Sequence, residues 1–198
     1  MADSGRLVQP SGKVLPPRSQ NIDESGFWVF GYGSLIWRPG FEFVERSHAT
    51  IFGFHRALCV LSHVHRGTPE QPGLVLGLDR GGSCQGVAYR VEESTRAATI
   101  NYLREREQVT MVYREITPVA TLADGRCVRA LAYAVDRTHH QYSRQLQLNE
   151  VIRAVRQGVG QSGPNPEYII NTHEHLIAMG IRDHMLETVV KGLSEIPV

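Results

Sequence analysis

Residues 127–135, Cys-Val-Arg-Ala-Leu-Ala-Tyr-Ala-Val, constrain the fold more than any other stretch of the chain. Read as a strand, with side chains alternating between faces, they put Val128, Ala130, Ala132 and Ala134 on one side. Leu131, Tyr133 and Val135 fall on the other. A strand that is apolar on both faces needs cover on both, as in a small closed or half-closed barrel wrapped by helices. Ala123-Asp124-Gly125 is a tight-turn signal, so 112–122 and 127–135 are predicted to form a hairpin. A second hairpin is predicted from 74–78 and 86–90 about Gly81-Gly82-Ser83, and 27–31 and 48–61 supply further extended runs.

Helical patterns follow later in the chain. Residues 145–158 place Leu148, Val151, Ile152 and Val155 on one face, and 166–179 end at Gly180, a natural terminator. Residues 93–108 and a shorter segment near 184–191 complete the set. The class is mixed α+β: a small mixed β-barrel core wrapped by helices, with most helix in the C-terminal half. Residues 1–25, with Pro10, Pro16, Pro17 and scattered apolar positions, read as a flexible leader. The domain is expected over 26–193, with a short tail over 194–198.

Composition excludes several functions. With 198 residues the chain can bury a core without a disulfide or metal, and a net charge of +1 does not suit a binder of nucleic-acid backbones. Its densest basic cluster, Arg104 and Arg106, is interleaved with Glu105 and Glu107. Cys59, Cys84 and Cys127 are odd in number, lack C-x-x-C spacing and lie among apolar residues, so buried thiols in a reducing compartment are expected. No apolar run approaches the ~18 residues of a membrane span, and no secretory signal opens the chain. These features predict a soluble, cytoplasmic protein with no membrane, nucleic-acid or obligate protein partner. His63 and His65 alternate on an extended run, whereas His173 and His175 splay by about 200° on a helix. Neither pair has the i, i+4 spacing of a helical zinc site, so no metal is expected, and no cofactor motif is present.

Two features bear chemistry. The apolar run Phe27–Phe30 stops at Gly31-Tyr32-Gly33-Ser34 before Leu35-Ile36-Trp37. A strand ending in glycines leaves backbone N–H groups uncovered, able to hold a carboxylate or a developing oxyanion; a plain turn is the alternative. The second is Glu107. At about 100° per residue, Ile100, Leu103 and Glu107 share a stripe, with Glu107 about 40° from Leu103 and Glu105 on the far side. A carboxylate ending a buried stripe is costly unless paired or used, and desolvation raises its pKa toward that of a neutral-pH base. The alternative is a helix-end ion pair with Arg104.

Several segments together resemble the ChaC-like γ-glutamylcyclotransferase family. They are Val29–Trp37 (Val-Phe-Gly-Tyr-Gly-Ser-Leu-Ile-Trp), His65–Pro69 with Pro72-Gly73, Gly86–Arg90, Tyr102–Glu107, and Gly160–Tyr168, in the family's order. The resemblance implies a compact barrel-plus-helices fold and an intramolecular reaction that converts glutathione to 5-oxoproline and cysteinylglycine. Carried onto this chain, it makes Glu107 the general acid/base. The backbone of Val29, Phe30, Gly31, Tyr32, Gly33 and Ser34 then cradles the γ-glutamyl part. It requires no cofactor, and the partner is a small-molecule substrate. Arg66 is a candidate for a substrate carboxylate, against a solvated loop arginine; Tyr168 is a candidate hydrogen-bond partner, against a tyrosine packing on the core. Some relatives carry an aromatic residue four positions after the acid, where this chain has Met111, with Tyr113 two further on. Cyclisation of other γ-glutamyl amino acids or amines, and a non-catalytic γ-glutamyl-binding regulator of cation transport, are the alternatives.

Overall fold

The two-sided strand sits at the centre of a closed sheet. The structure, a computed structural model, describes residues 21–195, so residues 1–20 of the expected leader and 196–198 of the tail lie outside the described residues. The strands are β1 (Ile22–Gly31), β2 (Glu45–Ser62), β3 (Gly73–Val91), β4 (Tyr113–Ile116), β5 (Val119–Leu122) and β6 (Cys127–Val135). They pair in the order β1-β3-β2-β5-β6-β4, and β6 returns to pair in parallel with β1, closing a ring with β4 outside it on β6.

Within β6 Arg129 alone is exposed. Val128, Ala130, Ala132 and Ala134 join the main core with Trp28, Phe30 and Leu78; small side chains suit the narrow interior of a barrel. Leu131 and Tyr133 face the other way, into a second cluster with Val29, Val91 and Leu103. Leu103 belongs to α1 (Arg96–Glu107), which covers that outer face. Helices α2 (Leu148–Gln157), α3 (Asn165–Ala178) and α4 (His184–Ser194) send Val151, Ile169 and Leu186 into the main core. A capping box between Gln147 and Glu150 starts α2, and Gly180, at φ +70, follows the end of α3.

One predicted hairpin is present and the other is not. β5 and β6 are joined about Gly125 (φ +91), but Pro118 lies between β4 and β5, where its missing N–H breaks the expected continuous run. Gly81-Gly82-Ser83 do not reverse the chain. β3 passes straight through them, paired antiparallel with β2 from Ser62↔Gly73 to Glu45↔Arg90. Gly81 and Gly82 have φ of +102 and +69, and the opposing register shifts between Phe52 and Phe54, around Gly53 at φ +85. These glycines bend a long ribbon around the barrel, and the real hairpin lies at 63–72. Bend and turn both require positive φ, which is why the local pattern did not separate them. β1 also begins at Ile22, where it pairs with Cys127, earlier than the apolar run alone predicts.

A buried arginine ties the C-terminal helices to the barrel. Arg56 on β2 donates to the Tyr32 carbonyl (2.6 Å), the Gln85 carbonyl (2.6 Å) and the Asp183 carboxylate (3.2 Å). Asp183 also caps α4 by accepting from the Leu186 amide at 3.1 Å. The Arg56 and Asp183 side chains keep only 6% and 13% exposure. Asp183→Asn retains the cap but leaves a buried cation without its counter-charge. Chemical denaturation is expected to show a loss of about 2–3 kcal/mol, with an unchanged m-value.

Candidate active site

A cavity of about 470 Å³ opens where β1 ends, between the C-terminus of α1 and the N-terminus of α3. It brings together Glu107 with Tyr32, Gly33, Ser34, Arg66 and Tyr168, residues drawn from distant parts of the sequence. Val29, Phe30 and Gly31 do not line it. They lie within β1 behind the wall, with Val29 and Phe30 fully buried and Gly31 in register with Val87. After Gly31 the ladder ends, and the chain passes through Tyr32 and Gly33, which line the cavity, into a 3-10 turn at Ser34–Ile36.

Glu107 is the last residue of α1, one turn beyond Leu103, which is fully buried against Leu131 and Tyr133. Its side chain retains 16% exposure, on the cavity side. The ion pair it makes is with Arg106, Nε to Oε1 at 3.3 Å. The expected alternative partner, Arg104, instead forks onto Glu115 at 2.7 and 3.0 Å. Burial pushes the Glu107 carboxyl above the usual glutamate range, and the neighbouring Arg106 charge pulls it only part of the way back.

Tyr32, Tyr113 and Tyr168 line the cavity with Glu107. Tyr32 donates to the Tyr133 carbonyl at 2.9 Å, and Tyr113 to the Leu76 carbonyl at 2.7 Å. Tyr168 accepts from the Leu76 amide at 3.3 Å, which leaves its own proton to point elsewhere. Burial raises the pKa of all three hydroxyls, and the charge of Glu107 adds to the effect, so they stay protonated at physiological pH. Gly33 packs beside Tyr168, and a Cβ there would sit in ordinary contact with the phenolic oxygen at 3.4 Å. Arg66 lines the cavity with its guanidinium 5.6 Å from the centre of the Tyr168 ring and donates to the Pro164 carbonyl at 3.0 Å. Met111 is 62% exposed with φ +60, whereas Tyr113 faces the cavity, so an aromatic group reaches this wall from the later position. Among the described residues no cluster of three or more His, Cys, Asp or Glu is placed to hold a metal, and no helix is long and apolar enough to cross a membrane.

Tyr133 and Arg106 were not singled out for the site by sequence reasoning, and Tyr113 entered only as the aromatic residue two positions beyond Met111. Tyr133 carried a signal, being a polar-tipped residue in a strand that is otherwise apolar apart from Arg129. Arg106 carried none, being one charge among four consecutive charged residues.

The cavity at the end of β1 thus combines one largely buried carboxylate, Glu107, with the segment Tyr32–Ser34 and several tyrosines. The family model described as ChaC-like protein matches residues 27–195, and the chain belongs to this family. It is 34% identical over 174 residues to the glutathione-specific γ-glutamylcyclotransferase of Escherichia coli (strain K12), covering 88% of this chain and 75% of that protein. It is 32% identical over 186 residues to glutathione-specific γ-glutamylcyclotransferase 1 of Homo sapiens, covering 92% and 74%. Its fold matches the crystal structure of a γ-glutamyl cyclotransferase specific to glutathione from yeast, with a TM-score of 0.78, 24% identity, and coverage of 86% and 96%.

The raised Glu107 pKa has a consequence for stability. Its carboxyl is harder to ionise in the folded chain than in the unfolded one, so folding favours the protonated form. That contribution is fully present below the unfolded pKa and is lost as pH rises through the folded one. Glu107→Gln is therefore expected to melt at or above the wild-type temperature at neutral pH. The gap should close in acid, as followed by scanning calorimetry across pH.

Proposed function

We propose that this protein is a γ-glutamylcyclotransferase acting on glutathione, with Glu107 as its general acid/base. The observation that carries this reading is the inward-facing, desolvated Glu107 in a cavity it shares with the Tyr32–Ser34 backbone. The names of the relatives and their extent of similarity support glutathione as the substrate.

The substrate's α-amino group is largely protonated at neutral pH, since such groups titrate at roughly 7.7–8.0 in small peptides. Glu107 removes one proton, and the freed amine attacks the γ-carbonyl carbon within the same molecule, forming the ring C–N bond. The carbonyl oxygen becomes an oxyanion, for which the amides of Gly33 and Ser34 at the open end of β1 are the proposed donors. Collapse breaks the bond to the cysteine nitrogen, which takes the proton back from Glu107. The ring nitrogen sheds a further proton and the departing amine gains one, so 5-oxoproline and cysteinylglycine form with no net proton change. Folding the substrate back on itself makes the reaction unimolecular, and a confined cavity is suited to enforcing that shape.

Tyr32, Arg66 and Tyr168 are the proposed side-chain contacts to substrate, with Val29, Phe30 and Gly31 holding the cradle from behind. Cys59, Cys84 and Cys127 are buried and in no disulfide, which supports a reducing, cytoplasmic setting.

The test is to incubate the purified protein with glutathione and follow 5-oxoproline and cysteinylglycine. Wild type is expected to release both in equal amounts. Glu107→Gln should keep its fold and lose about 10²–10⁴ of the turnover. Near-wild-type turnover in that variant would overturn the role of Glu107, and no release by wild type would overturn the activity.

A further inference from the structure

Arg106 follows Glu105 and precedes the acid, and its side chain departs sideways from the cavity stripe because successive helical residues point about 100° apart. Its guanidinium reaches Glu107 Oε1 through Nε at 3.3 Å. Through Nη2 it donates to Ser34 Oγ at 2.9 Å, and through Nη1 to the Arg38 carbonyl at 2.7 Å and the Tyr102 hydroxyl at 2.8 Å. A longer contact runs to the Pro39 carbonyl at 3.4 Å. Tyr102 is itself held close by Gly40, where φ is +76 and a Cβ would lie 1.9 Å from the phenolic oxygen. One planar cation, with 19% of its side chain exposed, thus joins the end of α1 to both ends of the segment Ser34–Pro39.

We propose that Arg106 is a positioning residue that locks the acid at the end of α1 to the loop opening at Ser34, so that base and oxyanion donors keep one fixed separation. This rests on the cyclotransferase reading. In that reaction the proton leaves one atom of the substrate while negative charge builds on another, so both partners must be placed at once. Arginine is suited to this because its fork offers donors in fixed directions within a plane. Lysine carries the charge without the fork.

Arg106 also acts on the charge of Glu107. Tyr32 beyond β1, Tyr133 on β6 and Tyr168 on α3 also feel that charge, as does Tyr113 on β4, and all four are neutral hydroxyls with raised pKa. Arg106 is the cation that holds the carboxyl down against burial. His65, from the β2–β3 connection, faces Arg106 and Arg66, and burial together with those charges lowers its pKa. The two shifts run toward each other, Glu107 upward and His65 downward, so both groups are tested against the acid limb.

The experiment measures kcat/KM for 5-oxoproline release against pH in wild type, Arg106→Lys, Arg106→Gln and His65→Gln, with circular dichroism to establish folding. Arg106→Gln is expected to lower the plateau by about 10²-fold, chiefly in kcat, and to move the acid limb to higher pH, because Glu107 loses its cation. Arg106→Lys should keep the acid limb near wild type but lose about tenfold of the plateau. His65→Gln should leave the limb in place. A folded Arg106→Gln with wild-type limb and plateau would overturn the proposal, as would a limb that follows His65→Gln. If Arg106→Gln does not fold, Arg106→Lys decides: a wild-type plateau there excludes the clamp. Absence of 5-oxoproline from wild type would sink the cyclotransferase reading itself, a result distinct from any of these.

Discussion

The parallel pairing of β1 with β6 is the contact on which the rest of the molecule depends. Trp28 opposite Ala130 and Val29 opposite Leu131 close the sheet, and the closure removes the edges that an open sheet would expose. Because β1 is held there at Trp28 and Val29 and on its other side by β3 as far as Gly31, the segment after Gly31 emerges at the mouth of the barrel. The same pairing creates the outer surface, Val29 beside Leu131 and Tyr133, onto which Leu103 of α1 packs. One helical turn later comes Glu107. A single strand pair therefore places both halves of the site, the loop directly and the acid through the helix docked on its back.

That arrangement accounts for the electrostatics. Glu107 is turned toward the cavity because α1 is anchored by a fully buried leucine one turn earlier. The cavity it lines also holds several tyrosine hydroxyls, which can hydrogen-bond but do not neutralise. Fully neutralising the carboxylate would stabilise the fold and weaken the base. The structure holds a middle state: one cation, at the edge of contact distance and already shared with Ser34 and the Arg38 carbonyl.

Sequence reasoning succeeded where one local rule acts alone. The two-faced apolar pattern of 127–135 predicted a covered strand, and heptad-like spacing predicted α2, because side-chain periodicity reports burial directly. The stripe through Ile100 and Leu103 likewise put Glu107 on the inner side of its helix. It failed where two structures share one local requirement. Gly81 and Gly82 need positive φ in a bent strand as much as in a turn, and only the length of the β2–β3 ribbon distinguishes them. Which part of Val29–Ser34 lines the cavity was also not legible, since local pattern does not say where a strand's ladder stops.

What the amino-acid order determined alone was the class of fold, the family, and the identity of the inward-facing acid, because each rests on periodicity or on motifs contiguous in the chain. Tertiary structure alone decided that Arg104 turns to Glu115 while Arg106 turns to Glu107 and Ser34, that Tyr113 rather than Met111 faces the cavity, and that Arg56 reaches Asp183. Each of those outcomes is a choice among chemically similar groups. Such a choice is settled by which partner the closed barrel brings within about 3 Å, where hydrogen bonds form, and distances of that kind across the chain are not written in its local pattern.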